Sequence, residues 1–201
     1  IFYKNFNYMK TIQSKRIKCR LCENKDLEIV VPLEPTPVAK KYLTKNQLNQ
    51  KEIICPLDLY MCKSCGHVQL LDIIDPKFLY SDYTYSSGNS SGLVKHFKEY
   101  ADNIVNKYKP KEGSLVVDIG SNDGTLLNFF KQNGLKVLGI DPAKEIAEKA
   151  TSKGIKTLPE FMNLGLSQQI KNEYGLAQIV TANNAFAHMD DLIGMLKSIR
   201  T

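Results

Sequence analysis

The chain has 201 residues, of which 43% are hydrophobic and 24% are charged, and it carries a formal net charge of +6. These values are typical of one medium globular domain or two small ones. The sequence contains no uninterrupted apolar run of the roughly 18 residues that a membrane-spanning helix needs, and no secretory signal pattern. We therefore expect a cytoplasmic protein that has no membrane partner.

The basic residues are spread along the chain, as is typical of a solvated surface. A nucleic-acid partner would favour basic and aromatic residues concentrated in one region, so such a partner is disfavoured. The first residues, IFYKNFNYMK, include Met9 as a candidate start. Residues 1–15 are accordingly predicted to be a disordered or non-native extension.

Four of the five cysteines form two C-x-x-C pairs, CRLC and CKSC. Such a pair brings two thiolates to one ion from a single turn, and two pairs complete a tetrahedral Zn²⁺ site. Two disulfides or a redox-active pair are the alternatives, and a cytosolic chain without a thioredoxin-like context disfavours both. The sequence thus predicts a small domain over residues 16–76, with structural zinc at Cys19, Cys22, Cys62 and Cys65.

Two further candidate ligands lie near these pairs. Cys55 precedes Pro56 outside both pairs, and it is predicted to be a buried or idle thiol. His67 follows the second pair, but four cysteines already fill a tetrahedral site, so a packed or exposed imidazole is expected. The run HVQLLDII, residues 67–74, alternates and then becomes apolar, which predicts a strand.

Residues 77–92 are rich in aromatic, Ser and Gly residues and have no hydrophobic period, which predicts a linker or surface loop. Aromatic rings beside small polar groups are also typical of a ligand pocket. Simple packing between two domains is the alternative interpretation, and the two stay open at this point.

From residue 93 onward, strand and helix patterns alternate. An amphipathic helix is followed by the apolar runs LVVDIG, KVLGID, IKTL and AQIVTANN, each of which precedes a helical segment. This alternation predicts a parallel sheet with helices on both faces. Residues 93–201 are therefore assigned to an α/β, Rossmann-like domain.

The first strand of this domain ends at Asp118, and Gly120 and Gly124 flank the turn that follows. Ligands of open α/β sheets bind at this carboxyl edge. The spacing is not G-x-G-x-x-G, and the carboxylates of Asp118 and Asp123 would repel a pyrophosphate but suit a cation. Asp141, at the end of the second strand, can accept hydrogen bonds from ribose hydroxyls. Together these features favour S-adenosylmethionine; NAD, or glycines that serve only the turn, are the alternatives.

Taken in order, the motifs resemble the C-methyltransferases that act on nucleotide-linked keto-deoxysugars. The matching stretches run from Cys19 to Leu192 and are CRLC, PLEPTPVAKKYL, CPLDLYMCKSCGHVQL, DYTYSSGNSSGLVKHF, VVDIGSNDGTLL, VLGIDPA and IVTANNAFAHMDDL. The resemblance implies an α/β fold in which a small zinc-binding N-terminal domain precedes a partial Rossmann-like class I methyltransferase domain with a parallel sheet.

The same resemblance implies roles for individual residues. The residues implied to bind adenosylmethionine are Asp118, Gly120, Ser121, Asn122, Gly124, Asp141, Asn183 and Asn184. Tyr83 and Ser87 are candidates for binding the substrate, a nucleotide-sugar small molecule. Tyr85 and His188 are the catalytic candidates.

The implied reaction removes a proton from a sugar carbon beside a ketone, after which the enolate attacks the methyl group of adenosylmethionine. Members of the family continue beyond the position of Thr201, so the chain is expected to be an N-terminal fragment whose general base lies in the missing part. Two alternatives are a methyltransferase for an RNA base or a small-molecule oxygen, and a non-catalytic zinc-stabilised binding protein. The sequence specifies neither the sugar nor the oligomeric state.

Overall fold

A computed structural model describes residues 12–39, 41–80 and 83–201 of the chain. Within them the chain forms two compact units that divide between Leu79 and Tyr80. The domain boundaries drawn from the sequence, at residues 76/77 and 92/93, remain predictions. No helix in the described ranges is both long and apolar enough to cross a membrane.

The N-terminal unit is built from short antiparallel strands. β2 pairs with β5 and β5 with β6, while β1 pairs with β7 and β3 with β4. The strands are β1 (Gln13–Lys15), β2 (Leu27–Val31), β3 (Thr36–Pro37), β4 (Ile54–Cys55), β5 (Leu59–Cys62), β6 (Val68–Leu70) and β7 (Asp72–Ile74). A 3-10 helix covers Lys45–Gln47, and helix α1 (Pro76–Tyr80) reaches the division between the units.

This unit differs from the sequence prediction in two places. The single strand predicted over 67–74 is two strands in different sheets, because the chain bends at the buried Leu71, whose carbonyl oxygen accepts from Arg16 N. Gln13–Lys15, inside the predicted extension, is a strand paired with Asp72–Ile74. That pairing joins residues far apart in sequence, so no local pattern reveals it. Residues 1–11 of the predicted extension lie outside the described residues.

Few apolar side chains of the N-terminal unit are buried. Among its described residues, the buried hydrophobic ones are Ile12, Cys19, Cys55, Cys62 and Leu71. Such a small core rarely stabilises a domain of this size without a metal, a disulfide or a partner. The unit therefore depends on something other than hydrophobic burial.

The C-terminal unit is the predicted α/β domain. Its strands have the order β10-β9-β8-β11, and every neighbouring pair is parallel, which confirms the predicted sheet. The strands are β8 (Leu115–Ile119), β9 (Lys136–Ile140), β10 (Thr157–Leu158) and β11 (Ala177–Thr181). The helices are α2 (Ser91–Tyr108), α3 (Thr125–Gln132), α4 (Lys144–Ser152), α5 (Leu164–Tyr174) and α6 (Leu192–Arg200), with 3-10 turns at Ser87–Asn89 and Phe186–His188.

Helices cover both faces of this sheet, as predicted. Successive residues of β8 point to opposite faces, and all five are buried. Val116 packs with Phe97 of α2 and Phe130 of α3. Val117, its neighbour, lies in a second cluster with Leu166 of α5 and with residues of α6. A strand buried on both faces has to be apolar throughout, which explains the uninterrupted run that predicted it.

The turn from β8 into α3 contains three residues with left-handed backbone conformations. Their φ angles are 75° at Gly120, 51° at Asn122 and 76° at Gly124. Glycine adopts this conformation without strain, and Asn tolerates it better than most residues. At Gly124 there is also no space for a side chain, since an added Cβ would lie 2.7 Å from Cγ2 of Ile155.

Replacing Gly139 in β9 should destabilise the protein, because an added Cβ would overlap Oγ of Ser121 and lie 2.6 Å from Oγ1 of Thr157. We expect Gly139→Ala to lower the free energy of unfolding by about 1–3 kcal/mol, measured by urea denaturation. Gly92→Ala is the control, because nothing lies within 4 Å of the added Cβ in α2. Equal stability of the two variants would contradict the packing described for β9.

Candidate functional site

The two C-x-x-C motifs form turns with the same backbone geometry. In the first, Glu23 N donates to Cys19 O at 3.0 Å; in the second, Gly66 N donates to Cys62 O at 2.8 Å. Both turns end in a left-handed residue, with φ of 63° at Glu23 and 72° at Gly66. Each first cysteine also donates its backbone N–H to the carbonyl five residues later, on Asn24 and His67. Two equivalent turns thus present their thiols in equivalent ways.

These turns bring four sulfur atoms together. All four Sγ atoms, on Cys19, Cys22, Cys62 and Cys65, lie within 4.8 Å of one another. Cys19 Sγ is 3.7 Å from Cys65 Sγ, and Cys22 Sγ is 3.5 Å from Cys62 Sγ. A tetrahedral ZnS₄ centre with Zn–S bonds near 2.3 Å has sulfur–sulfur edges of about 3.8 Å. The thiols are therefore spaced to bind one tetrahedral metal ion.

The spacing excludes the two disulfides that the sequence left open. A disulfide needs sulfurs about 2.05 Å apart, and all five cysteines are free thiols. His67 is half-buried and is not among the candidate metal-binding residues found in the described ranges. Cys55 is buried outside the cluster, as predicted, and burial together with the nearby Asp72 raises the pKa of its thiol.

Backbone N–H groups point at the sulfur of Cys19. Burial disfavours ionisation of this thiol, but hydrogen bonds from the backbone of Cys22 and Leu21 help to lower its pKa to about 6. A thiolate is the form of cysteine that binds zinc. The local structure thus favours the metal-binding form of this residue.

At the carboxyl edge of the parallel sheet, Asp118 is buried beside Thr181. The Thr181 hydroxyl donates to Asp118 Oδ1 at 2.6 Å, across the β8–β11 pair in which these two residues are partners. Burial raises the pKa of Asp118 to about 7, and the nearby carboxylate of Asp141 acts in the same direction. Near neutral pH this carboxyl group is poised to ionise when a cation approaches.

Asp141 follows β9 and is held by two backbone N–H groups. Asn122 N donates to Oδ2 at 2.8 Å, and Ala143 N donates to Oδ1 at 2.9 Å. An ionised carboxylate has about four lone-pair positions, so each oxygen keeps capacity for a further donor. Burial raises the pKa of Asp141 despite these two hydrogen bonds.

Two buried polar atoms at this edge have no hydrogen-bond partner among the described residues: Ser121 Oγ and Asn183 Nδ2. Gly120 brings their loops close together, since a Cβ there would lie 2.8 Å from Cβ of Ala185. Buried polar groups without partners are rare in folded proteins. Since ligands of open α/β sheets bind at this edge, both atoms are candidates for hydrogen bonds to a ligand.

Asn122 and Asp123 use their side chains to hold residues 85–88. Asn122 Nδ2 donates to Tyr85 O, and Ser87 N donates to Asn122 Oδ1, both at 2.9 Å. Gly88 N donates to Asp123 Oδ2 at 2.9 Å. From the sequence, Asp123 was predicted to offer its charge to a cationic ligand, whereas its carboxylate already accepts hydrogen bonds from Ser86, Gly88 and Thr125.

An aromatic row lies in the same unit. The ring of Tyr83 is 5.7 Å from that of Tyr80 and 6.4 Å from that of Tyr85, and Tyr80 is 6.4 Å from Phe161. Burial raises the pKa of Tyr80, and the neighbouring Tyr83 and Asp141 raise it further. Tyr80, in the middle of the row, is therefore the ring near Asp141, the acid that follows β9.

The remaining predicted site residues are placed differently. Asn184 is exposed and adopts a left-handed conformation, with φ of 53°. His188 is exposed at the end of the 3-10 turn Phe186–His188. Gly124 packs against Ile155. The binding and catalytic roles assigned to these residues stay predictions.

Several residues around the site were not predicted from the sequence: Ser86, Gly88, Thr125, Phe161 and Thr181. The stretch Asp123-Gly124-Thr125 before an apolar run is a helix-start pattern, and it was available as a signal for Thr125. The others depend on contacts between distant segments, which no local pattern reveals.

Comparison with known proteins agrees with this division into two units. Residues 19–80 match a family described as "Putative zinc binding domain", and residues 94–201 match a family described as "Methyltransferase domain". The C-methyltransferase NovU of Streptomyces niveus is 31% identical over 182 residues, which are 90% of this chain and 43% of NovU. The chain thus spans less than half the length of this relative.

Solved structures resemble the chain more loosely. The plantazolicin methyltransferase BpumL in complex with SAH is 15% identical, with a TM-score of 0.40, over 51% of this chain and 39% of BpumL. The magnesium protoporphyrin IX methyltransferase ChlM of Synechocystis PCC 6803 with bound SAM is 19% identical, with a TM-score of 0.42, over 61% of this chain and 62% of ChlM. The family assignment does not depend on these likenesses. Because the methyltransferase family matches more than half of the chain, the protein belongs to that family.

Proposed function

We propose that the C-terminal unit binds S-adenosylmethionine at the carboxyl edge of its sheet. We further propose that the protein is a C-methyltransferase for a nucleotide-linked keto-deoxysugar. The observation that carries the first proposal is the convergence of Asp118, Asp141 and Asn183 at the ends of three neighbouring parallel strands. Such an edge is where ligands of open α/β sheets bind.

The chemistry of this edge suits adenosylmethionine in two ways. Asp141 retains lone pairs for the two ribose hydroxyls, after its hydrogen bonds from Asn122 N and Ala143 N. Asp118 is a buried acid that a cationic amino or sulfonium group would stabilise in its ionised form. A pyrophosphate would instead meet two carboxylates, which disfavours NAD.

Ser121 Oγ and Asn183 Nδ2, which lack partners within the described part of the chain, supply polar groups that a ligand of this kind needs. When bound, adenosylmethionine supplies an electrophilic methyl group. The role of the protein is to orient this methyl group, to hold the acceptor and to exclude water.

We assign Tyr83 and Ser87 to substrate binding and Tyr85 to polarising the sugar ketone. Support for a carbon acceptor comes from the likeness to NovU, a C-methyltransferase.

In the N-terminal unit, we propose that the four-cysteine cluster binds Zn²⁺ for folding and not for catalysis. The sulfur–sulfur distances of 3.5 and 3.7 Å fit a tetrahedral ion. Four protein sulfurs leave no open coordination position for a substrate or a water molecule. Binding of the metal would also compensate for the small buried core of this unit.

Calorimetric titration with adenosylmethionine is the experiment that tests the cofactor proposal, and absence of binding would refute it. The acceptor proposal is tested by incubating the protein with labelled adenosylmethionine and nucleotide-linked keto-deoxysugars. Transfer of label to a sugar carbon supports it. Transfer of label to RNA or to an oxygen atom would refute the proposed sugar-carbon acceptor and indicate another class of substrate.

Neutralising Asp141 should weaken cofactor binding. Asp141→Asn keeps the size of the side chain but removes its charge, so hydrogen bonds to the ribose hydroxyls lose roughly 1.5–3 kcal/mol, or a factor of about 10 to 100 in affinity. The measurement is the calorimetric dissociation constant for adenosylmethionine. Glu148→Gln, which neutralises an exposed acid in α4, is the matched control, and an equal effect of the two substitutions would refute the ribose contact.

Affinity for adenosylmethionine should rise with pH and level off above about pH 7. Below the pKa of Asp118, which is about 7, the ligand must displace a proton from this carboxyl group, so affinity falls by up to tenfold per pH unit. Titrations between about pH 6 and 8, in buffers with different heats of ionisation, measure the affinity and the proton released. Asp118→Asn should bind more weakly and show no such slope; a flat profile for the unsubstituted protein would contradict the contact.

Replacing one cysteine of the cluster should remove the metal. Cys62→Ser leaves three sulfur ligands, so we expect bound zinc to fall from one ion per chain to near zero and the N-terminal unit to unfold. Zinc content measured by mass spectrometry after gel filtration, with circular dichroism, tests both effects. Cys55→Ser is the control, since Cys55 lies outside the cluster; loss of zinc in that variant would refute the assignment.

A further inference from the structure

We propose that Asn122 and Asp123 are positioning residues. They hold residues 83–88, here called the aromatic segment, against the loop that follows β8. A ligand that binds at this loop would then stabilise the aromatic segment, and an ordered aromatic segment would in turn strengthen ligand binding. The inference rests on the proposed function, because it assigns to the cofactor site a second task, which is to place Tyr83 and Tyr85.

Asn122 holds the aromatic segment through hydrogen bonds from both ends of its side-chain amide. Its side-chain amide donates to Tyr85 O and accepts from Ser87 N, which are the two bonds that a paired strand would make with this segment. Its backbone N–H donates to Asp141 Oδ2. One residue therefore connects the acid assigned to the ribose with the backbone on which the ring of Tyr85 is carried.

Asp123 acts on two elements through its two oxygens. Oδ1 accepts from the backbone N–H and hydroxyl of Thr125, at 3.2 and 2.6 Å, and so fixes the first turn of α3. Oδ2 accepts from Gly88 N at 2.9 Å and from the Ser86 hydroxyl. Burial would raise the pKa of Asp123, but the hydrogen bonds from Ser86, Thr125 and Gly88 lower it below its usual value.

The close approach at Gly88 indicates that this contact is specific. A Cβ there would lie 2.9 Å from Asp123 Oδ2 and 3.2 Å from Thr125 Oγ1, so a larger residue would push the segment away from the carboxylate. Ser87 next to it is buried. The aromatic segment is thus fitted to the loop by backbone bonds and by packing, and the rings of Tyr83 and Tyr85 follow from its position.

The sharpest test replaces Asn122 with glycine. Asn122→Gly removes both side-chain hydrogen bonds but retains the left-handed backbone and the N–H bond to Asp141. Lys109→Gly is the control, because Lys109 is another left-handed residue, with φ of 45°, at the end of α2. Both substitutions raise the backbone entropy of the unfolded chain by a similar amount. A difference between the two variants therefore reports the hydrogen bonds from Asn122 to the aromatic segment.

The readout is hydrogen exchange at the amides of Gly88, Asn89 and Ser90, which bond to Asp123, Ser86 and Ser87 and not to Asn122. Asn122→Gly should increase exchange at these amides roughly tenfold, which is within the range expected for the loss of two net hydrogen bonds. Lys109→Gly should leave exchange there unchanged. Asp123→Asn, a second variant, should act in the same direction as Asn122→Gly. Unchanged exchange in both loop variants would overturn the positioning role.

A second arm adds S-adenosylhomocysteine as the probe. It should slow exchange at the same three amides in the unsubstituted chain and in Lys109→Gly, but not in Asn122→Gly. If calorimetry detects binding and the amides do not respond, the mutual stabilisation is wrong while the proposed cofactor site stands. If the probe does not bind, the proposed function fails, and the ligand-free comparison still decides whether Asn122 holds the segment.

Discussion

The reversal of the chain between β8 and α3 is the constraint on which the rest of the C-terminal unit depends. Within five residues the backbone leaves a buried strand and enters a helix, with left-handed conformations at Gly120, Asn122 and Gly124. The N–H groups of Gly120 and Ser121 both donate to Ile140 O, which ties the turn to the next strand. The three side chains of the turn therefore differ in what they bind. Ser121 Oγ has no hydrogen-bond partner among the described residues, Asn122 binds the aromatic segment, and Asp123 binds both that segment and the start of α3.

Three acids lie in or beside this turn, and their surroundings give them different tasks. Asp123 accepts hydrogen bonds from Gly88 and Thr125, so its carboxylate connects the aromatic segment to the start of α3. Among the described residues, the buried carboxyl group of Asp118 accepts one hydrogen bond, from Thr181, so a nearby cation would stabilise its ionised form. Asp141 is intermediate, with two backbone donors and remaining capacity. The three aspartates therefore have different roles: Asp123 is structural, whereas Asp118 and Asp141 are suited to binding a ligand.

The sequence predicted the alternating half of the chain well because burial on both faces makes a parallel strand continuously apolar. It also predicted the four-cysteine cluster, since C-x-x-C spacing encodes the turn itself. It did not predict the tasks of Asn122 and Asp123, because their partners at Tyr85–Gly88 lie about 35 residues away. The contact of Thr181 with Asp118 requires the register of two strands, and the bend at Leu71 requires the pairing of β1 with β7.

The two cysteine turns are far apart in sequence, with Cys22 and Cys62 at the inner ends of the intervening chain. A metal ion that binds both turns acts as a cross-link and closes a loop of about 40 residues. In a chain-entropy model, this closure lowers the conformational entropy of the unfolded state and so adds about 4 kcal/mol to the free energy of unfolding. Since an ion, unlike a disulfide, exchanges with its surroundings, mass action sets the size of this contribution. Each tenfold fall in free zinc would remove up to about 1.4 kcal/mol from the stability of the N-terminal unit.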